Sequence, residues 1–235
     1  MQAYTIQSND TLAKIAARFY NDASLYRKLA LYNGIQNPNR ILPGQRIEIP
    51  TRSELLAPNS GGTSGAALPA GPSGLTTPHG LNEILATFGN IYNYIAADGT
   101  LKAGWEANYI ERALLPFPIP LSWDPASKVT RIRCHKKLKD VFPAVLEEIV
   151  NQGLKSEILT YGGCYNYRAK RTSSKLSTHC WGIAIDLNPQ TNAQGTAGNM
   201  HSGVVAAFQK FGFKWGGEFQ GASRDPMHFQ FCTGY

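Results

Sequence analysis

The chain has 235 residues, 43% hydrophobic and 17% charged, and its 23 Lys and Arg against 16 Asp and Glu leave a net charge of +7. Such a composition excludes a disordered or collagen-like chain, and no apolar run approaches the roughly 20 residues that span a bilayer. The basic excess favours an anionic partner, but composition does not choose among nucleic acid, anionic lipid and an acidic wall polymer. The start, Met1-Gln2-Ala3-Tyr4-Thr5-Ile6, shows neither the basic nor the apolar region of a secretory signal. Cys134, Cys164, Cys180 and Cys232 form no Cys-x-x-Cys pair and are expected to be buried or inert thiols.

Residues 1–50 read as strand, helix, helix, strand. Tyr4 to Ile6 is the first strand. Asn9 or Asp10 is placed to cap a helix with Leu12, Ile15, Ala16 and Phe19 on one face, and Ser24 to cap a second with Tyr26, Leu29, Ala30 and Tyr32. Turns at Asn33-Gly34, Asn37-Pro38-Asn39 and Pro43-Gly44 lead to a closing strand, Ile47-Glu48-Ile49. Residues 51–80 hold six Gly, four Pro and four Ser, and no Asp, Glu, Lys or Arg stands between Glu54 and Glu83. That segment reads as a flexible linker, with a reach of roughly 30 Å for about 28 residues.

Residues 81–235 alternate helical and strand patterns, which predicts an α+β domain. A stripe of Leu138, Phe142, Val145 and Ile149 predicts a helix within 135–151, kinked or started late by Pro143 and ended by Gly153. Glu157 to Tyr161 reads as a strand broken by Gly162-Gly163, and Trp181 to Leu187 as another. Val204, Val205, Phe208 and Phe211 mark a further helix. In Met227-His228-Phe229-Gln230-Phe231, His228 and Gln230 share the face opposite three large apolar side chains, as a strand lining a site from its polar side would.

His179 and Asp186 stand seven apart, so a flat strand would put them on opposite faces. They converge only if the chain bends between them, and Gly182 permits that. Asp186 lies in an apolar run, where a carboxylate is costly unless paired or metal-bound. With His228 it makes two imidazoles and one carboxylate, the usual donor set of a catalytic zinc with one open position. Asp225, three residues before His228, is placed to move a proton, and Arg168 to meet negative charge on substrate or intermediate. His79, His135 and His201 have no such company and are expected at the surface or at helix ends. Lys136-Lys137 and Lys170-Arg171 lack any nucleic-acid-binding motif and read as a solvated basic face.

Through Asp10-Thr11-Leu12, Asn33, Pro43-Gly44-Gln45 and Ile49-Pro50, residues 2–50 resemble a lysin motif (LysM) module, departing from it at Asn9, where the family usually has Gly. The resemblance implies binding of N-acetylglucosamine in peptidoglycan, with Asp10, Thr11, Asn37, Pro38 and Ile41 as groove residues. Similar modules also serve as structural pieces of phage-tail baseplates. Through Ser177-x-His179-x(6)-Asp186, Asp225-x-x-His228 and Tyr165-x-x-Arg168, in that family's set of motifs, residues 80–235 resemble the zinc D-Ala-D-Ala carboxypeptidases and L-Ala-D-Glu endopeptidases, phage endolysins included. This implies Zn2+ on His179, Asp186 and His228, Asp225 as acid/base, and Ser177, Tyr165 and Arg168 at the substrate. Asp rather than Glu at 225 leans towards the endopeptidase branch. The expected whole is a module at 1–50, a linker at 51–80 and a peptidase at 81–235 that hydrolyses stem peptides by zinc-activated water. No membrane insertion or nucleic acid is involved, and the protein reaches the wall after release or as part of a phage-like particle. The alternative is a docking component of a phage tail or contractile injection particle, in contact with baseplate proteins.

Overall fold

The computed structural model describes residues 2–33, 35, 38, 41–56, 72, 74–171, 173 and 175–235. The first unit pairs β1 (Gln2–Thr5) antiparallel with β2 (Arg46–Ile49), and carries α1 (Leu12–Tyr20), α2 (Tyr26–Tyr32) and α3 (Arg52–Leu56). Its own core is built on Leu12, Ile15, Leu29 and Ile47, so the strand–helix–helix–strand reading of the sequence holds.

Both helix caps differ from expectation. Thr11 caps α1, its Oγ1 accepting from Lys14 N at 3.1 Å, because Asn9 adopts φ +70° and the Asp10 carboxylate is already engaged. Asp10 accepts from Gln7 N (2.7 Å) and from the Tyr4 hydroxyl (2.8 Å), which closes the turn after β1. Asp22, not Ser24, caps the 3-10 turn Ala23–Leu25 that feeds α2. The sequence read as linker is structured at both ends. At the first, α3 adds Leu55 to the small core; at the second, buried Thr77 donates to Gly212 O (2.6 Å). Most of the segment between lies outside the described residues.

The second unit is a six-stranded mixed sheet with helices, the α+β architecture expected. Its elements are α4 (Gly80–Phe88), α5 (Gly104–Tyr109), the long hairpin β3 (Ile110–Leu121) and β4 (Asp124–His135), α6 (Val141–Asn151), β5 (Tyr161–Gly163), β6 (Ala184–Leu187), α7 (Ser202–Lys210), β7 (Lys214–Trp215) and β8 (His228–Gln230). The strand order is β4-β3-β5-β6-β8-β7, antiparallel except between β3 and β5.

Pro143 falls in the first turn of α6, so the late start is what the ring imposes. The strand expected over 157–161 is displaced: Lys155–Glu157 form a 3-10 turn, and the glycines read as its end are inside β5. At Gly162 the neighbouring strand comes close: a Cβ would stand 3.0 Å from Asp186 Cβ and 3.2 Å from its carbonyl oxygen. The strand expected over 181–187 is shortened to β6, because Thr178–Trp181 wind into a 3-10 turn. Phe208 of α7 stacks on Phe229 of β8 at 4.1 Å between centroids, and Phe231 meets Phe213 and Phe88 edge-on. Each such buried ring contributes about 1.5–3 kcal/mol. The apolar face of β8 is thus committed to the core, which directs His228 and Gln230 to the opposite side. No helix among the described residues is long and apolar enough to cross a membrane.

Candidate active site

Asp186 in β6 and His228 in β8 are cross-strand partners, so their side chains rise from the same face of the sheet. His179 arrives from the 3-10 turn before β6. Ser177 caps that turn, its Oγ accepting from His179 N at 3.4 Å, and Gly182 ends it at φ +66°. No other residue fits at Gly182: a Cβ would sit 2.7 Å from His135 N, where β4 ends. The bend required between His179 and Asp186 is therefore made where the sequence placed it.

The three side chains converge. His179 Nε2 and His228 Nδ1 lie 3.2 and 3.0 Å from Asp186 Oδ1, and 3.2 Å from each other. The outer ring nitrogens fix the tautomers. His179 Nδ1–H donates to Cys164 O (2.5 Å), and His228 Nε2–H donates to Gln230 Oε1 (3.0 Å), whose amide is in turn oriented by Cys232 O (3.3 Å). Both of those partners are carbonyl oxygens and can only accept. With the protons held outside, the inner atoms are two nitrogen lone pairs and a carboxylate oxygen, three acceptors within hydrogen-bond distance and buried. Such a set repels itself unless a cation sits among them, and two imidazoles with a carboxylate are the donors a zinc-sized ion takes. The residues fit a metal. Burial alone would raise the Asp186 pKa, but His179 and His228 hold it well below the ordinary carboxylate range; Asp186 in turn raises His228 against the effect of its burial.

Asp225 stands at the turn into β8, its amide bonded to Gly216 O (2.9 Å) and its carbonyl accepting from His228 N (3.0 Å). Trp215 Nε1 donates to Pro226 O (2.7 Å) and pins the same turn, while Gly216 is bare because a Cβ would run into the Asp225 carbonyl. Asp225 Oδ1 is buried and has no hydrogen-bond partner among the described residues. Burial pushes this carboxyl up to about 6; the charge of Asp186 adds, and His228, His179 and Arg171 oppose. A carboxyl of that kind, beside a candidate metal, can hold or release a proton near neutral pH.

Asp186, Asp225, His228, Arg168 and Ser177 line one cavity of about 400 Å³. Arg168 reaches it from the loop after β5, its Nη1 donating to Ala169 O (3.2 Å). Tyr165 is not part of this wall: its ring lies 4.8 Å under the Arg133 guanidinium. Lys170 and Arg171, expected on a solvated face, line the cavity instead, together with Lys175. His79, His135 and His201 all occupy cap positions at helix starts, although His135 is buried rather than exposed, and all four cysteines are buried and free. Sequence reasoning gave no role to the Cys164 carbonyl, since a backbone oxygen leaves no trace in residue types. Gln230 was signalled by its alternation with His228.

In the first unit, Asp10 and Thr11 are occupied in turn and cap bonds, and Ile41 packs against the core. Pro38 is half-buried, and Asn37 lies outside the described residues.

Residues 4–50 match the LysM domain family, and residues 170–231 match a family described as D-alanyl-D-alanine carboxypeptidase. The second match takes in Ser177, His179, Asp186, Asp225 and His228, and begins after Tyr165 and Arg168. Among curated proteins, the chain is 49% identical over 47 residues to an uncharacterized protein of Deinococcus radiodurans, covering 20% of this chain and 19% of that one. It is 52% identical over 46 residues to Esterase Rv1288 of Mycobacterium tuberculosis, 20% of this chain and 10% of the esterase. It is 41% identical over 51 residues to the potassium binding protein Kbp of Escherichia coli, 21% of this chain and 34% of that protein. The chain thus spans about a fifth, a tenth and a third of the lengths of these relatives.

Proposed function

From a chain that carries a LysM domain followed by a D-alanyl-D-alanine carboxypeptidase domain, we propose a peptidoglycan hydrolase that cuts stem peptides at either an L-Ala-D-Glu or a D-Ala-D-Ala bond. One observation supports it above the others. Three acceptor atoms with externally fixed protons meet within 3.2 Å, beside Asp225, whose buried Oδ1 has no hydrogen-bond partner among the described residues.

His179, Asp186 and His228 would hold a zinc ion, which would supply Lewis acidity at the scissile carbonyl and ease the deprotonation of water. The chain's own residues do the rest. Asp225, as carboxylate, takes the proton of the attacking water and returns it to the leaving amine. Arg168 holds a substrate carboxylate or the oxyanion that develops at the cut bond. Ser177 keeps the His179 turn closed and forms part of the substrate wall. The LysM domain holds the glycan, through a groove that includes Asp10, Thr11, Asn37, Pro38 and Ile41, and raises the local concentration of stem peptides. No observation favours the tail-docking alternative.

The test is cleavage of a synthetic stem peptide by the zinc-loaded full chain and by Asp225→Asn. We expect a fall in kcat of about 10²–10⁴ with zinc content unchanged. Full activity in the variant would overturn the assignment of Asp225.

A further inference from the structure

Arg168, Lys170, Arg171 and Lys175 stand within eight residues that contain no acid. All four line the catalytic cavity, and none makes an ion pair among the described residues. Lys170 is the most constrained. Its Nζ lies 4.1 Å from the centre of the Tyr235 ring, and that ring is held in place by its hydroxyl, which donates to Leu176 O (2.9 Å), and by edge contact with Trp181. Burial lowers Lys170 to about 8, against the effect of Cys232 and with the charge of Lys175 adding. Four cations of one sign around one cavity repel each other and destabilise the empty site. Of the acids on the same wall, Asp186 is taken up by the imidazoles, and burial pushes the Asp225 carboxyl up to about 6, with Arg171 among the groups that oppose it. Two carboxylates, one of them already committed, do not balance four cations.

Three of the four cations, Arg168, Lys170 and Lys175, stand on one side only. A second cavity of about 570 Å³ shares Arg171, Asp186, Gln194 and Met227 with the first, and its remaining walls, Ser122, Gly162, Pro189, Ala193 and Ala222, are uncharged. A substrate lying across Asp186 and His228 therefore meets three cations at one end, Arg171 between the two cavities, and uncharged walls beyond it.

We propose that Lys170, Arg171 and Lys175 form a subsite for a second substrate carboxylate, separate from the one assigned to Arg168, and that the chain selects peptides carrying a free acid side chain at that end of the cut bond. This rests on the reading of the cavity as a peptide site. Single-site anion capture by Arg168 alone leaves the other three cations without a counter-charge, whereas a peptide with two carboxylates supplies it through charge-assisted hydrogen bonds.

The experiment measures binding rather than turnover, on the zinc-loaded full chain carrying Asp225→Asn. The probes are two dye-labelled synthetic stem peptides that differ only in one side-chain carboxyl, free in one and a primary carboxamide in the other, prepared in turn for each acidic residue. For one position the free acid is expected to bind about tenfold tighter at low salt, an advantage that shrinks as ionic strength rises. In Lys170→Gln/Lys175→Gln the advantage should fall below about twofold, and Lys170→Arg/Lys175→Arg should keep most of it. Equal binding of acid and amide at every position, or an advantage untouched by the Gln pair, would overturn the proposal. Failure of the hydrolase reading is seen separately, as an unmodified chain that cleaves neither peptide.

Discussion

The chemistry of the candidate centre is set by two hydrogen bonds that do not touch a metal. By taking the outer protons of His179 and His228, Cys164 O and Gln230 Oε1 leave the inner nitrogens as bare acceptors beside Asp186. Outer-shell groups of this kind typically govern affinity by 10–100-fold. Gln230→Leu should therefore weaken zinc binding by about that factor, measured by competition with a chelator of known affinity, while leaving the fold intact. An unchanged affinity would mean that the Gln230 amide orients nothing. At this scale much was legible. Asp186 stands out because it interrupts an apolar run, His228 because alternation along 227–231 separates two faces, and His179 and Asp225 by their spacing from these two. What sequence could not show is where carbonyl oxygens point. Nor could it show that Lys170 and Arg171 turn into the cavity, since basic residues on a loop look the same whether they face solvent or substrate.

Elements carry the site by meeting at fixed points. Gly182 packs on the end of β4 while His135 N donates to its carbonyl (2.9 Å), and the His135 ring reaches Phe88 O at the end of α4 (3.0 Å). Burial lowers His135 from 6.5 to about 4. The folded chain thus leaves this imidazole neutral until pH 4, whereas the unfolded chain protonates it near 6.5. Between those values unfolding takes up a proton, so stability is fully present above 6.5 and declines as the pH falls, by about 3 kcal/mol at pH 4. Urea unfolding of wild type and His135→Gln across pH 7 to 4 should show a shallower decline in the variant; parallel curves would contradict the role given to His135. Helices α1, α2, α6 and α7 were readable from their stripes, and so was the bend at Gly182, whereas α3, α4 and α5 were not read. The β3–β4 hairpin was not, although Ala113, Leu115, Phe117 and Ile119 alternate as buried residues. Pro116 and Pro118 have no amide hydrogen for the ladder, and the β3–β4 register jumps between Leu114 and Ile119, where they lie. The prolines hid a strand whose apolar period was intact.

At the scale of the whole molecule, two hydrophobic cores share no residue. The +7 charge stands on both units, on either side of a stretch without charged residues. The second unit holds His179, Asp186, His228 and the cavity, and under the proposed function the LysM unit holds the polymer. Removing residues 1–50 should leave zinc content and cleavage of a free stem peptide unchanged, and lower the rate on intact sacculi at least tenfold at dilute enzyme. Equal rates on sacculi would deny the LysM unit that part. The central claim, that His179, Asp186, His228 and Asp225 form a peptidase centre directed at stem peptides, is tested most directly by mass spectrometry of muropeptides after purified peptidoglycan is digested with the zinc-loaded chain. Stem peptides cut at a single bond, with the glycan intact and with no such products from Asp225→Asn, are the expected result; stem peptides left whole would contradict it.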